Sequence, residues 1–160
     1  MTPEHLHLLL NHLPVAGCAF AALTLLLGLL SRSVPVCRAG MTLALAATLV
    51  MPLVMKTGEK ADTALSASNG AMALDRSAAR WLHEHEERAE NLAVAFLVIL
   101  AAAAAALALS WLRPAWSLRL GGAILLLCLV GLVGGAWIAE AGGKIRHPEL
   151  RTETRRPHAN

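Results

Sequence analysis

Four long apolar runs leave this sequence few possible folds. They cover residues 6–30, 39–55, 92–112 and 118–139. The hydrocarbon core of a bilayer is crossed by about 20 apolar residues in a helix, with a range of about 17–25, so each run is close to that length. The chain is 56% hydrophobic and 16% charged, and its apolar residues are mainly leucine, alanine and valine, which favour helix over sheet. We therefore predict an all-α integral membrane protein with four spanning helices.

The connections between the runs predict how the helices are arranged. Residues 31–38 and 113–117 are short, so the helices that they join are antiparallel, and a four-helix up-and-down bundle is the simplest arrangement. Residues 71–91 carry charge on most turns among good helix formers, so we expect them to extend the third helix outward as a water-exposed amphipathic segment. Residues 1–147 are thus predicted to form a single transmembrane domain, and residues 148–160 a flexible basic tail.

Small residues in the third and fourth runs predict close helix packing. Alanines fill positions 101–106, at the height of Gly121–Gly122, and a glycine-rich stretch follows at 131–135. Small side chains let membrane helices approach each other closely. We therefore expect the third and fourth helices to pack together along these positions, and the fourth helix to end at Gly142–Gly143.

All seven histidines fall at one end of the predicted bundle. The first and third helices begin at this end, and the second and fourth helices end there. This end, which we call the histidine rim, contains His5, His7, His12, His83, His85 and His147, with His158 in the tail beyond them. An ionisable group near a membrane span is costly unless it is paired or hydrated, so such a cluster indicates a functional site.

Helix geometry predicts which rim histidines can meet. His5 and His12 are seven residues apart and share a helix face, whereas His7 points nearly opposite. Measured from the other end of the bundle, His5 and His85 reach heights of about 37 and 40 Å, whereas His12 reaches about 27 Å. We therefore expect His5, His85 and His147 to share one layer, with His12 below it.

Four of these histidines are candidate ligands of a cofactor or metal ion. Imidazole is an axial ligand of b-type haem, and helix bundles hold cofactors with side chains from facing helices. Nearby polar groups can accept the second ring N–H of such a ligand. The expected ligands are His5, His12, His85 and His147, and the expected supporting residues are Asn11, Glu59, Glu86 and Glu140. The histidines expected to face headgroups or water are His7, His83 and His158.

The rim chemistry predicts a membrane-embedded electron-transfer protein that binds b-type haem, with a membrane or periplasmic redox protein or quinone as its partner. One alternative is a non-catalytic accessory or assembly subunit of a larger membrane complex, which docks through its alanine and glycine faces. Another is a zinc or copper protein that uses the same four histidines; few methionines lie in this half of the spans, which weakens copper. The sequence has no HExxH, GxSxG, phosphate-binding loop or CxxCH motif. We therefore expect a carrier or subunit rather than an enzyme, and no nucleic acid partner.

Arginines at the opposite end predict the orientation of the bundle. The short connections and their flanks hold Arg32, Arg38, Arg113 and Arg119 without an acidic residue, and we call this the arginine end. No lysine or arginine precedes the first helix, so the positive-inside rule places the arginine end in the cytoplasm and the histidine rim and both termini in the periplasm. The total count of lysine and arginine favours the reverse orientation, and we give the first helix more weight.

Four motifs at the histidine rim also resemble a known group of proteins. They are HLHLLLNHLPVAG at 5–17, KTGEKAD at 56–62, LHEHEE at 82–87 and GGKIRHPEL at 142–150. The set is similar to a family of small, largely uncharacterised bacterial inner-membrane proteins with four helices. It is more distantly similar to four-helix membrane modules of the haem-binding type. The resemblance implies a bacterial inner-membrane location, and the positions that it singles out are Asn11, His12, Glu59, His85, Glu86 and His147.

Overall fold

The computed structural model describes residues 7, 9–67 and 76–151, and this part of the chain is helical apart from short turns. Its α-helices are α1 Leu13–Leu30, α2 Val34–Leu49, α3 Met51–Ala67, α4 Arg76–Leu112 and α5 Ser117–Arg146. Short 3₁₀ helices lie at Pro114–Trp116 and Pro148–Leu150. The segments that are long and apolar enough to cross a membrane are Leu13–Leu30, Val34–Lys60, Ser77–Leu112 and Pro114–Ile145. The prediction of an all-α chain with four such segments is confirmed.

The second membrane-length segment consists of two helices. Val50 separates α2 from α3, and Pro52 follows at the start of α3. Proline has no N–H to donate and its ring clashes with the preceding turn, so a continuous helix breaks at this point. The predicted boundaries 39–55 are too short at both ends, because α2 already begins beside Pro35 and α3 continues to Ala67.

The helices pack around one core. α1 packs against α2 and α5, α4 packs against α5 and α2, and α2 also touches α5. Two contacts set an antiparallel register between α1 and α5, because Val15 lies against Gly135 and Leu25 lies against Gly121. The start of α1 and the end of α5 therefore meet at the histidine rim. The largest buried side chains of the core include Leu25, Met41, Phe96, Ile99 and Ile124.

Glycines of α5 bring α4 close over part of its length. Gly131 and Gly134 pack directly against side chains of α4, as predicted. The prediction is wrong at the other end of α5, where Gly121 packs against α1 and α2 instead of the α4 alanines. The next residue, Gly122, faces open space among the described residues. Sequence alone does not fix the rotation of a helix about its axis, and this rotation decides which helix each glycine meets.

The C-terminal end of α5 differs from the prediction. The helix continues through Gly142–Gly143 and ends at Arg146, so the glycines do not cap it. Arg151 folds back and donates hydrogen bonds of 2.7 and 2.8 Å to two carbonyl oxygens in the last turn of α5. The first residues of the predicted flexible tail 148–160 are therefore packed onto the helix. Residues 152–160 lie outside the described part of the chain.

Large apolar side chains cover the outward faces of the helices. Phe20 on α1 is 66% exposed, Leu126 on α5 is 65% exposed, and Val133 on the same helix is 72% exposed. Val94 and Val98 on α4 are also exposed. Soluble monomeric proteins rarely expose continuous apolar surfaces of this kind, because contact with water is unfavourable.

Candidate functional site

His85 lies between α4 and α5. Its ring Nδ1 is 3.2 Å from the carbonyl oxygen of Ile138, and the ring lies against Gly142. A carbonyl oxygen only accepts hydrogen bonds, so Nδ1 carries the proton in the neutral ring and Nε2 keeps its lone pair. A histidine that binds a metal is usually held in this way, with the second ring nitrogen donating to a carbonyl or carboxylate. The geometry therefore prepares His85, a predicted ligand, to bind through Nε2.

His7 packs against α3, so the prediction that it faces headgroups or water is wrong. Its Nδ1 is 3.2 Å from the carbonyl oxygen of Val54 and 3.3 Å from Oγ1 of Thr57. The half-buried ring also lies against Gly58. The sequence signal for this contact is the pair Thr57-Gly58. Threonine offers a hydrogen-bond acceptor, and glycine offers a surface without a side chain on which a flat ring can pack. As in His85, the Nδ1 proton of His7 is used between helices and Nε2 keeps its lone pair.

His12 is exposed in the turn that leads into α1. The contact of Val15 with Gly135 sets the level of this turn along α5. A step of three residues, or about 4.5 Å, toward the histidine rim leads from Val15 to His12 and from Gly135 to Ile138. His12 and Ile138 therefore lie at the same level. Ile138 provides the carbonyl oxygen that His85 contacts. The packing therefore places His12 at about the level of the Ile138 carbonyl oxygen that His85 contacts, whereas heights counted along straight, independent helices put His12 below His85.

Two further histidines of the described chain are exposed and pair with nearby carboxylates. His83, as expected, is exposed, and its Nε2 lies 3.3 Å from Glu87 one turn later. His147 follows α5, and its Nδ1 lies 2.9 Å from the carboxylate of Glu149. The backbone N–H of Glu149 and then the His147 ring hydrogen-bond this carboxylate and lower the pKa of Glu149 below its ordinary value of 4.5. His147 thus also has a carboxylate at Nδ1, an arrangement typical of a ligating histidine.

The remaining predicted residues occupy different environments. The Oδ1 atom of Asn11 is buried, and it has no hydrogen-bond partner in the described part of the chain. Glu59 is exposed on α3, and Glu86 is half-buried on α4. His5 lies outside the described residues. The layer that was predicted to join His5 to His85 therefore stays a prediction.

An ion-pair network beside the histidine rim was missed in the sequence. Arg88 on α4 is only 9% exposed. Its Nε donates to Glu84 at 2.9 Å, and its Nη1 donates to Glu140 at 3.2 Å and to the carbonyl oxygen of Trp137 at 2.7 Å. Lys144 donates to the other oxygen of Glu140 at 2.6 Å. Glu140, predicted to support a histidine, instead binds two cations and joins α4 to α5.

Two tryptophans cover the cations of this network. The guanidinium of Arg88 lies 4.5 Å from the centre of the Trp137 ring, and Nζ of Lys144 lies 4.2 Å from that of Trp81. Cations are attracted to the face of an aromatic ring. The sequence held two signals for this network. Arg88 lies one turn after Glu84, and Glu140, at a similar height, is the acidic residue at the end of the fourth apolar run.

The described residues of the histidine rim do not form a site in which several side chains could bind one metal ion. Among residues 7, 9–67 and 76–151, no three histidine, cysteine, aspartate or glutamate side chains come together as ligands of one ion. Zinc sites use three or four protein ligands, whereas a b-type haem needs one or two axial ligands. The donor set of the described residues therefore fits a group that takes few protein ligands better than it fits zinc.

In comparisons with known proteins, no family model, no curated protein and no solved structure matches the chain. The fold and the site geometry are therefore the basis on which a function is proposed.

Proposed function

We propose that this chain is an integral membrane protein, a four-helix up-and-down bundle, and that its histidine rim binds b-type haem and carries electrons. Four apolar segments of membrane length and the apolar outward faces support the membrane location. The contacts of α1 with α2 and α5, and of α4 with α5 and α2, support a ring of neighbouring antiparallel helices. The proposal places the bundle in a bacterial inner membrane with the rim in the periplasm.

The observation that carries the haem proposal is the placement of His85. Its Nδ1 donates to the Ile138 carbonyl oxygen, which holds the ring in one orientation and leaves the lone pair on Nε2. This hydrogen bond also makes the imidazole a better electron donor to a metal. A haem held by His85 would supply the one-electron chemistry of the proposed function.

The second histidine that would hold haem in this proposal is His12. It lies near the level of His85 along α5 and its side chain is exposed, so no contact with another helix must be broken before it binds. The contacts of His7 with α3 give that residue a positioning role, because they join the segment before α1 to the second part of the second membrane-length segment. The partner of the bound group in the proposal is a periplasmic or membrane redox protein or a quinone.

Absorbance spectroscopy on matched histidine variants tests the proposal. The parent protein, purified after expression with sufficient haem supply, is expected to show a Soret band that shifts on reduction with dithionite. His85→Ala is expected to lose the band, and His12→Ala is expected to lose it or to change it to that of a single-histidine site. His83→Ala is the matched control on the same helix and is expected to keep it, since that ring is exposed and paired with Glu87. A parent protein without a Soret band contradicts the proposal.

A second candidate function is an accessory or assembly subunit, which the outward small-residue faces favour. A methyl group added at Gly122 on α5 would meet no other part of the described chain within 4 Å, and Ala101, Ala104 and Ala105 on α4 are exposed. Such surfaces let another membrane helix approach closely. Co-purification of a stable partner that is lost with Gly122→Leu and kept with His85→Ala would favour this function over haem binding. Zinc or copper binding is the weaker alternative, and elemental analysis of the purified protein tests it.

A further inference from the structure

The two short connections of the bundle meet at the arginine end. Cys37, near the start of α2, lies against Gly28 of α1 and against Gly121 of α5. Arg38 reaches across to the end of α4, where it donates hydrogen bonds to the hydroxyl and the carbonyl oxygen of Ser110. The turns at 31–33 and 113–116 therefore lie on one small surface instead of on separate sides of the molecule.

This surface carries only positive charge. Arg32, Arg113 and Arg119 are exposed, and none of them contacts a carboxylate of the described residues. Arg38 is also without an acidic partner in that part of the chain, since its hydrogen bonds go to the neutral Ser110 and its guanidinium lies 3.9 Å from the centre of the Trp111 ring. Four guanidinium groups at this end thus have no carboxylate partner in the described part of the chain.

Apolar and aromatic side chains lie directly beside these arginines. Trp111 and Trp116 are 66% and 51% exposed, and Leu30 and Leu112, each at the end of its helix, are more exposed still. Tryptophan is enriched where lipid headgroups meet acyl chains, because one part of the ring is polar and the rest is apolar. The end of the bundle therefore combines cations at its outer edge with apolar surface just inside it.

We propose that the arginine end binds the phosphodiester headgroup of an anionic glycerophospholipid. Arginine presents several N–H donors in a plane that matches the oxygens of a phosphate, and the exposed leucines and tryptophans would contact the acyl chains. A basic cluster beside a membrane surface attracts anionic lipid by about 1 kcal/mol for each cation. This inference rests on the membrane location in the proposed function, and it does not depend on haem.

Lipid retention measured by native mass spectrometry tests the site. The parent protein in detergent is incubated with phosphatidylglycerol or with phosphatidylcholine, which share acyl chains and differ in headgroup charge. The test variant is Arg32→Gln, Arg113→Gln and Arg119→Gln combined. The matched control is Lys56→Gln, Lys60→Gln and Arg80→Gln combined, which removes the same charge from exposed positions toward the histidine rim. Circular dichroism shows whether each variant keeps its helices.

We expect the parent to retain phosphatidylglycerol in preference to phosphatidylcholine. The arginine variant should retain phosphatidylglycerol about a hundredfold less well, since the loss of each of its three arginines is expected to weaken retention about fivefold. The control variant should match the parent, and added inorganic phosphate should not displace the lipid. Equal retention of both lipids by the parent, equal loss in the two variants, or displacement by inorganic phosphate overturns the proposal. Absorbance spectra of the same samples report on haem separately.

Discussion

At the histidine rim, Arg88 contacts Glu84 and Glu140, whereas at the arginine end Arg38 contacts only the neutral Ser110 and the Trp111 ring. The rim joins its helices through hydrogen bonds and ion pairs between side chains. The arginine end joins α2 to α4 through the hydrogen bonds of Arg38 and brings α1 close to α2 at Gly28, and its arginines have no acidic partners among the described residues. The two ends thus differ in whether their charges are paired and in how tightly their helices pack.

The glycines of the two ends show this difference directly. A methyl group added at Gly28 would lie 2.8 Å from the backbone nitrogen and the Sγ atom of Cys37. A methyl group added at Gly142 would lie 3.3 Å from atoms of the His85 ring. A backbone atom can move only with its helix, whereas a side chain can shift slightly. The helices at Gly28 are therefore packed more tightly than those at Gly142.

Cysteine labelling in intact bacterial cells gives the largest expected contrast between the two ends. The native cysteines at 18, 37 and 128 are fully buried and should not react. Ala79→Cys, near the start of α4, is expected to react with a membrane-impermeant maleimide, and Ser31→Cys at the arginine end is expected to react only after permeabilisation. Both positions are exposed. The reverse pattern would place the histidine rim in the cytoplasm and contradict the orientation derived from the first helix.

Alanine substitution of matched glycines tests the packing difference. Gly28→Ala is expected to lower the free energy of unfolding by about 2 kcal/mol, because α1 and α2 must separate. Gly142→Ala is expected to cost less than about 1 kcal/mol, since the His85 ring can shift. Gly122→Ala, which meets no neighbour in the described part of the chain, should be neutral or stabilising by about 0.5 kcal/mol. Unfolding in mixed detergent micelles, followed by circular dichroism, measures all three. Equal costs for the first two would show that the ends are equally rigid.

Removing one arginine from each end compares paired with unpaired charge. Arg88→Gln is expected to destabilise the protein by about 2 kcal/mol, because the variant loses charge-assisted hydrogen bonds and leaves two carboxylates without their shared cation. Arg38→Gln loses hydrogen bonds to neutral groups and should cost about 1 kcal/mol. The same unfolding measurement applies. A larger cost for Arg38→Gln would contradict the account of the rim as the end held by ion pairs.

The smallest expected effect concerns the turn that follows α5. The pKa of Glu149 is lower in the folded state than in the unfolded state. The hydrogen bonds to its carboxylate therefore stabilise the folded protein at pH values above 4.5, and this stabilisation is lost as the pH falls through the lowered pKa. His147→Ala is expected to raise the pKa of Glu149 toward 4.5, although the backbone hydrogen bond should keep it below. Carboxyl titration by NMR measures the shift. An unchanged pKa in the variant would show that His147 does not hold this carboxylate.

The sequence predicted the elements of the fold well, because long apolar runs of helix-forming residues mark each helix directly. The all-α class and the four apolar segments are confirmed. The role of His85 as a ligand stays a prediction. Haem binding and electron transfer stay predictions. The contacts of His7 and Gly121 were predicted wrongly, because they depend on how each helix is rotated and aligned with its neighbours.

The Arg88 network was missed for a related reason. The sequence places Glu84 and Arg88 one turn apart on one helix, but Glu140 was predicted to support the histidines. Their meeting across α4 and α5 requires the register in which Gly134 receives Leu92. The hydropathy pattern does not encode that register, since a leucine at any of several neighbouring positions would give the same pattern.

The length of α4 determines how this helix would lie in a membrane. Its 37 residues form a rod of about 55 Å, and the hydrocarbon core of a bilayer is about 30 Å thick. In a membrane, nearly half of α4 therefore stands in water, and it remains continuous with the half in lipid. The ion pair of Arg88 with Glu140 and the contact of His85 with Ile138 lie in this outer half, so α4 and α5 remain joined beyond the hydrocarbon.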